Sequence, residues 1–363
     1  MPFDERNFDA TGPEGPAGLT RNRRLVAGWL FVMCFMILVM VVLGGVTRLS
    51  GSGLSIMEWA PVSGIIPPLS HADWEKLFAL YRQIPQYKLV NDGFGLAGFK
   101  HIFWLEWTHR LWGRLMGVAF LLPLLWFWAT GRIERSLRPR LLLLFALGGL
   151  QGAVGWFMVA SGFLPDSVAV APSRLVVHLG LALVLYGAIL WTGLGVLRPR
   201  IVTSGRAVGL RRLARLSAVL VGLTILAGGF VAGTRAGFDY NTFPLMAGRW
   251  VPANYAALHP FLRNLIANIP AVQFDHRLLA TLTVLSVAMT LFAGLRQNLP
   301  RLPRFALYAL ALAAAMQYAL GVATLLMVVP EGLAAAHQAN AVLLLTAALV
   351  LVYGLGRARP AGA

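Results

Sequence analysis

Cysteine occurs once in the 363 residues, and the 14 acidic residues are outnumbered by 31 Lys and Arg. A single thiol, Cys34, excludes an intramolecular disulfide and any thiolate-rich metal site. It lies within an apolar run and reads as a small core residue. Charged residues of both signs make up only 12% of the chain, about half of what a soluble domain carries. The N-terminal residues fit neither kind of targeting segment, so none is expected there. Met1 to Arg24 carries Asp4, Glu5, Asp9 and Glu14, whereas a mitochondrial presequence is poor in acids. No small-residue cleavage site of the secretory kind precedes the first apolar run. That run is therefore expected to stay as a permanent span, in a bacterial inner membrane.

What fills the chain instead is hydrocarbon. The sequence is 58% hydrophobic with a mean hydropathy of +0.70. Apolar runs near the ~20 residues needed to cross a bilayer recur at 25–46, 104–129, 141–160, 175–196, 216–233, 274–294, 305–329 and 334–356. The net charge of +17 suggests nucleic acid until its distribution is read. The N-terminal tail, the second, fourth and sixth connections and the C-terminal tail hold 19 of the 31 Lys and Arg, and the longer alternate connections hold 9. This is the positive-inside pattern. It predicts cytoplasmic termini and external loops at 47–101 and 234–270. Arg24, Arg132, Arg140, Arg211, Arg212, Arg301 and Arg304 are then topology anchors, and no nucleic-acid partner is expected.

The spans repeat in two sets of four. Gly44-Gly45 and Thr47-Arg48 close span one, as Gly228-Gly229 and Thr234-Arg235 close span five. Glu106-Trp107-Thr108-His109-Arg110 opens span two, as Gln273-Phe274-Asp275-His276-Arg277 opens span six. Gln151 and Gly155 lie in span three, Gln317 and Gly321 in span seven, and His178 and His337 open spans four and eight. An even number of spans per half gives a parallel repeat about an axis along the membrane normal. The expected fold is an all-α integral membrane protein, eight transmembrane helices as two four-helix bundles. Its parts would be a tail at 1–24, halves at 25–196 and 216–356, a linker at 197–215 and a tail at 357–363. Gly148, Gly152 and Gly155, at helical spacing, would admit a close neighbour or a flat ring.

Four histidines stand at matching places in that repeat. His109, His178, His276 and His337 each fall a few residues inside the outer end of a span, expected at four to seven residues, or ~6–10 Å below the rim. Ionisable groups inside a membrane are costly and mark function. Two pairs at one depth suit two bis-histidine haem sites, with a porphyrin edge-on between facing helices. Zinc or copper would call for thiolates or short ligand spacings. His71, His101 and His259 have no counterpart and read as solvated or interfacial, His101 alternatively lining a site mouth. Arg48, Arg235, Arg110 and Arg277 suit bidentate binding of haem propionates, or else interfacial snorkelling.

The halves differ in one place that bears on chemistry. Glu106 lies one turn before His109 on the same helix face, where the other half has Gln273. A carboxylate there can move protons and an amide cannot. One half is thus expected to do chemistry and the other to carry electrons, unless Glu106 merely pairs with Arg110.

Several segments resemble the haem A synthase family over nearly the whole chain. They are Gly44 to Ser50 with Ser52-Gly53-Leu54-Ser55, Phe99-Lys100, Ile102-Phe103-Trp104, Glu106 to Arg110, and Ala236-Gly237 with Asn241 to Met246. The resemblance implies oxidation of the C8 methyl of haem O to a formyl group, giving the haem A that cytochrome oxidase needs. It implies a haem b cofactor on His276 and His337. His109 and His178 would flank the iron of the substrate haem, and Glu106 matches the acid of the family's Glu-x-x-His motif. Members with paired external cysteines exist; this chain lacks them, which places it in the cysteine-free proteobacterial and mitochondrial-like branch and leaves its electron acceptor open. The haem O synthase upstream, a farnesyl transferase, is the expected partner, and a homo-oligomer is possible. The rival reading is a bis-histidine di-haem electron-transfer cytochrome. A transporter is disfavoured, because no span breaks at its centre and no charge lies at the midplane.

Overall fold

The computed structural model describes residues 16–60, 63–165, 167–197 and 208–356. Its helices, in chain order, are α1 (Pro16–Leu49), α2 (His71–Tyr81), α3 (Pro85–Val90), α4 (Leu96–Ala129), α5 (Arg138–Ala160) and α6 (Pro172–Leu197). The second half of the chain contributes α7 (Val208–Thr234), α8 (Asn264–Ala267), α9 (Ile269–Leu295), α10 (Arg301–Leu326) and α11 (Glu331–Gly354). Eight of them, all but α2, α3 and α8, are long and apolar enough to cross a membrane. The shortest of the eight, α5, has 23 residues. At ~1.5 Å per residue it covers ~35 Å, more than the ~30 Å of hydrocarbon it must span. Rows of exposed Val32, Phe35, Leu122, Leu143, Leu312 and Phe305 would be untenable in water and are natural against lipid. The expected tails and the linker at 197–215 lie wholly or partly outside the described residues.

Helix ends follow from local chemistry. Proline begins α3, α5, α6 and α9 within their first two residues, where its missing N–H costs nothing. At the end of α4, Gly131 takes φ +68 and donates to Trp128 O, while Arg132 donates to Phe127 O. That pair of bonds satisfies the last free carbonyls, and only glycine takes this left-handed position without strain. The end of α10 differs from expectation. Val328 and Val329 both have positive φ, and their N–H groups close back on Leu325 O and Thr324 O. The helix therefore stops at Leu326, although the apolar run continues to residue 329.

The larger departure is at α4, which begins at Leu96 rather than 104. Its first turns bury Phe99, Ile102 and Phe103 against α2 and α3. Trp74, Phe78, Tyr81 and Phe99 meet there at ring-centroid distances of 5.3–6.4 Å. The first external loop thus has a small aromatic core of its own. His109 consequently lies well beyond the seventh residue of its helix.

The spanning helices touch in a regular order. α1 packs on α4 and α6, and α5 packs on α4 and α6, closing a ring in the first half. In the second half α7 packs on α9 and α11, and α10 packs on the same two. The halves meet through α1 with α11, α6 with α7, and α6 with α11. At that seam Gly45 of α1 faces Gln338 of α11, whose amide donates to Val41 O at 2.9 Å. Gly229 of α7 faces Val176 and Leu179 of α6 in the matching place.

Candidate functional site

Each of the four histidines lies against a glycine of a neighbouring helix. A Cβ on Gly44 of α1 would stand 3.2 Å from His109 Nε2, and one on Gly228 of α7 would stand 3.0 Å from His276 Cε1. In the same way Gly155 of α5 would bring a Cβ to 2.9 Å from His178 Cε1, and Gly321 of α10 to 2.9 Å from His337 Cε1. Any side chain at these glycines would push the ring aside. All four histidines are half-buried. His109 of α4 and His178 of α6 stand on helices that both pack on α1 and α5, and His276 of α9 and His337 of α11 stand on helices that both pack on α7 and α10. Among the described residues no group of three or more His, Cys, Asp and Glu could hold a metal ion. Two imidazoles are a donor set that suits a porphyrin iron, since the ring supplies the other ligands. His71, His101 and His259 are exposed. Of the glycines expected at the site, Gly155 meets His178, while Gly148 and Gly152 face open space.

Two glutamines join the histidines. Gln151 Nε2 lies 3.2 Å from His178 Nδ1 and donates to His178 O at 3.0 Å. Gln317 Nε2 lies 3.2 Å from His337 Nδ1. These residues were visible in the repeat, four places before Gly155 and Gly321, but only the fold sets them on the rings. The other histidine of the second half has a carbonyl beside it: His276 Nδ1 is 3.1 Å from Thr224 O. A carbonyl only accepts, so in the neutral ring Nδ1 carries the proton and Nε2 keeps its lone pair for a metal.

Glu106 and Gln273 both bind the loop that follows the preceding span. Glu106 is 2% exposed. It accepts from Ser55 Oγ at 2.7 Å, Ile56 N at 2.9 Å, and Arg110 Nε and Nη2 at 3.0 and 2.6 Å. No hydrogen bond joins it to His109 among the described residues. Gln273 donates to Ala236 O and Asp239 O at 2.6 Å each and accepts from Arg277 Nη2 at 2.8 Å. Arg110 continues to Ile56 O and Glu58 O, and Arg277 to Tyr240 O and Thr242 O. Both guanidinium groups are thus committed to loop carbonyls, although Arg277 Nε is buried without a partner among the described residues.

Arg48 and Arg235 meet at the seam between the halves. They line a cavity of about 450 Å³ together with Phe238 and Asp239. Arg48 reaches from the end of α1 to Ala232 O of α7 at 2.5 Å, and its Nε is buried without a partner among the described residues. Two cations beside one cavity, one with an unused donor, suit a carboxylate guest.

Known proteins place the chain independently. The family model COX15-CtaA, described as Cytochrome oxidase assembly protein, matches residues 27–349. A protein of Granulibacter bethesdensis named Heme A synthase is 63% identical over 335 residues, 92% of this chain and 88% of that protein. Heme A synthase 2 of Acidiphilium cryptum is 50% identical over 353 residues, 96% of each chain. Heme A synthase of Nitrosomonas eutropha is 47% identical over 333 residues, 91% of this chain and 93% of its own length. Matched by that model and by these relatives over nearly all of its length, the chain belongs to the COX15-CtaA family of cytochrome oxidase assembly proteins.

Proposed function

We propose that this chain is a haem A synthase of the bacterial inner membrane, which oxidises the C8 methyl of haem O to a formyl group. The observation that carries the reading is the set of four half-buried histidines, two in each ring of four helices and each laid on a glycine. Relatives named Heme A synthase, up to 63% identical, give the pair of sites its chemistry. The halves 25–196 and 216–356 are two parallel bundles in this reading, with both termini cytoplasmic and loops 47–101 and 234–270 outside.

The second pair, His276 and His337, holds haem b, which when bound supplies a one-electron carrier. His109 and His178 flank the iron of haem O, which the upstream farnesyl transferase provides. Arg48 and Arg235 take propionate carboxylates at the outer rim, while Arg110 and Arg277 hold the loops that follow α1 and α7. Methyl to formyl is two successive two-electron oxidations, so protons must leave a site walled by hydrocarbon. Glu106 is the acid assigned to that site: it orients the substrate edge through the 55–58 segment it holds and stands one turn from His109.

Spectra of purified variants test the division. His276→Ala or His337→Ala should remove resident haem b and its absorbance. His109→Ala should keep most of that absorbance while no haem A can be extracted from cells supplied with haem O. Equal loss of haem b from both halves would sink the assignment, and haem b as the sole pigment of the wild type would make the chain a cytochrome. Alkaline phosphatase fused at Arg138 should be inactive; activity there would invert the topology.

A further inference from the structure

The inner face of α5 is closed at one end and open in the middle. Leu141 and Leu144 are buried and Gly155 lies on His178, yet Gly148 and Gly152 between them are exposed. All five positions share one helical face. Gly117 of α4 is exposed too, and a Cβ on any of these three exposed glycines would meet nothing within 4 Å. Gly117 is eight residues past His109 and Gly148 seven before Gly155, so both stand ~10–12 Å along their helices from the histidines. Three residues further on each helix, Phe120 and Phe145 stack at 5.9 Å between α4 and α5. They close the space from below.

The second half fills the same place. Counting from His276 as from His109, and from Gln317 as from Gln151, it has Val284 for Gly117, Ala314 for Gly148 and Tyr318 for Gly152. Ala314 is 3% exposed. Tyr318 Oη lies 3.4 Å from Thr281 Oγ1 across α10 and α9, and its ring meets Phe243 edge-on at 6.1 Å. A second difference lies one turn from Gly148. Gln151 Nε2 donates to His178 O, which leaves Gln151 Oε1 buried without a partner among the described residues. Gln317 Oε1 accepts from Asn340 Nδ2 at 2.9 Å, whereas Leu181 stands in the place of Asn340 and has no donor. A buried acceptor of this kind calls for a donor from a guest.

We propose that the crevice between α4 and α5, walled by Gly117, Gly148 and Gly152, receives the isoprenoid tail of the substrate haem. Gln151 Oε1 accepts from the hydroxyl at the root of that tail. Haem O carries a hydroxyethylfarnesyl chain where haem b has a vinyl group, on the porphyrin edge remote from the propionates. With the propionates at the outer rim, that edge points into the bilayer, toward the glycines. The glycines are exposed, so the crevice opens sideways to lipid, and a chain too long for it continues among acyl chains without entering water. Val284, Ala314 and Tyr318 close the second half, which suits a haem that has no tail. The inference rests on the first half being the haem O site.

The test is absorbance titration of the purified full-length protein, its second half loaded, with haem O and with haem b as a tailless probe of the first half. Gly148→Leu sets a side chain into the crevice where no atom stands in its way, and it favours the helix. It should weaken haem O by about 10-fold or more and leave haem b binding unchanged. Gly152→Tyr copies the second half, should act alike, and carries the test should the first variant not fold. Gln151→Met, which keeps the length and loses the acceptor, should weaken haem O more than haem b; equal weakening would confine Gln151 to holding His178. Haem O bound as tightly by both filled variants as by the wild type, in cells that still make haem A, would leave the crevice to lipid chains and overturn the tail site. Equal loss of both haems would show that the glycines seat the ring, and would overturn it too. A wild-type first half that takes up no haem O would overturn the synthase reading itself.

Discussion

Three residues before the first span histidine in each half, the two halves meet one requirement with opposite polarity. In the first half the loop offers donors, the Ser55 hydroxyl and the Ile56 N–H, and Glu106 accepts both. In the second half the loop offers the carbonyls of Ala236 and Asp239, and Gln273 donates to both. An arginine four residues on completes each arrangement and reaches the next loop carbonyls. The acid–amide difference is therefore matched in the backbone it binds. A carboxylate among the second loop's carbonyls, or an amide N–H facing Ile56 N–H, would leave like groups opposed. The same contrast runs through the seam, where Gly45 meets the amide of Gln338 and Gly229 meets the alkyl groups of Val176 and Leu179.

Removing the arginines should separate the halves most widely. Arg110 forms a buried ion pair with Glu106, whose side chain is 3% exposed against 18% for the arginine. Arg110→Ala strands that carboxylate, and breaking a buried pair costs ~3–5 kcal/mol, toward the lower end here because the arginine is partly open to solvent. Arg277→Ala leaves a neutral amide with one acceptor unpaired, a loss of ~1–3 kcal/mol. Thermal unfolding in detergent should show the larger drop for Arg110→Ala. Equal drops would mean that the ionic character of the first pair contributes nothing.

Glu106→Gln is the next step down. It keeps the length of the side chain and turns a doubly accepting group into one with an N–H facing Ile56 N–H or Ser55. The expected destabilisation is ~1–3 kcal/mol from one unpaired buried group. The protein should insert and keep haem b, while haem O or the half-oxidised alcohol accumulates. Normal output of haem A from this variant would reduce Glu106 to a loop anchor and an Arg110 partner.

The sequence made the spans and the histidines legible because a bilayer demands long apolar runs and penalises each buried ionisable group. His109, His178, His276 and His337 stand out against hydrocarbon without any knowledge of packing. The faces of the helices do not. Lipid and a neighbouring helix are equally apolar, so periodicity cannot tell which side of α5 meets α6. Gly155 faces His178 while Gly148 and Gly152 of the same helix face open space. The early start of α4 was hidden differently, since Phe99 and Phe103 bury against α2 and α3, whose positions follow only from the fold. One signal was available there: Ser70 and Asp73 stand at capping-box spacing and form both reciprocal bonds at the start of α2.

The smallest predicted effect sets the two external loops against each other by pH. Asp73 in the first loop has its pKa lowered from 3.8, first by the Ser70 hydroxyl and then by the Ser70 backbone N–H. Tyr255 in the second loop has its pKa raised from 10.0, first by burial and then by its hydrogen bond to Asp275, 2.8 Å away. A lowered carboxyl pKa stabilises the folded loop fully above 3.8, and the contribution fades as pH falls through the folded value. A raised phenol pKa stabilises fully below 10.0, and the contribution fades as pH rises through the folded value. The first loop should therefore loosen at the acid end and the second at the alkaline end. Hydrogen exchange of loop peptides, corrected for intrinsic rates, would read both in one sample. Asp73→Asn should abolish the acid response around α2 and leave the second loop unchanged. Tyr255→Phe should do the reverse. Loosening of both loops at a common pH would show that they open together with the membrane core, and the comparison between halves would then not extend to their external parts.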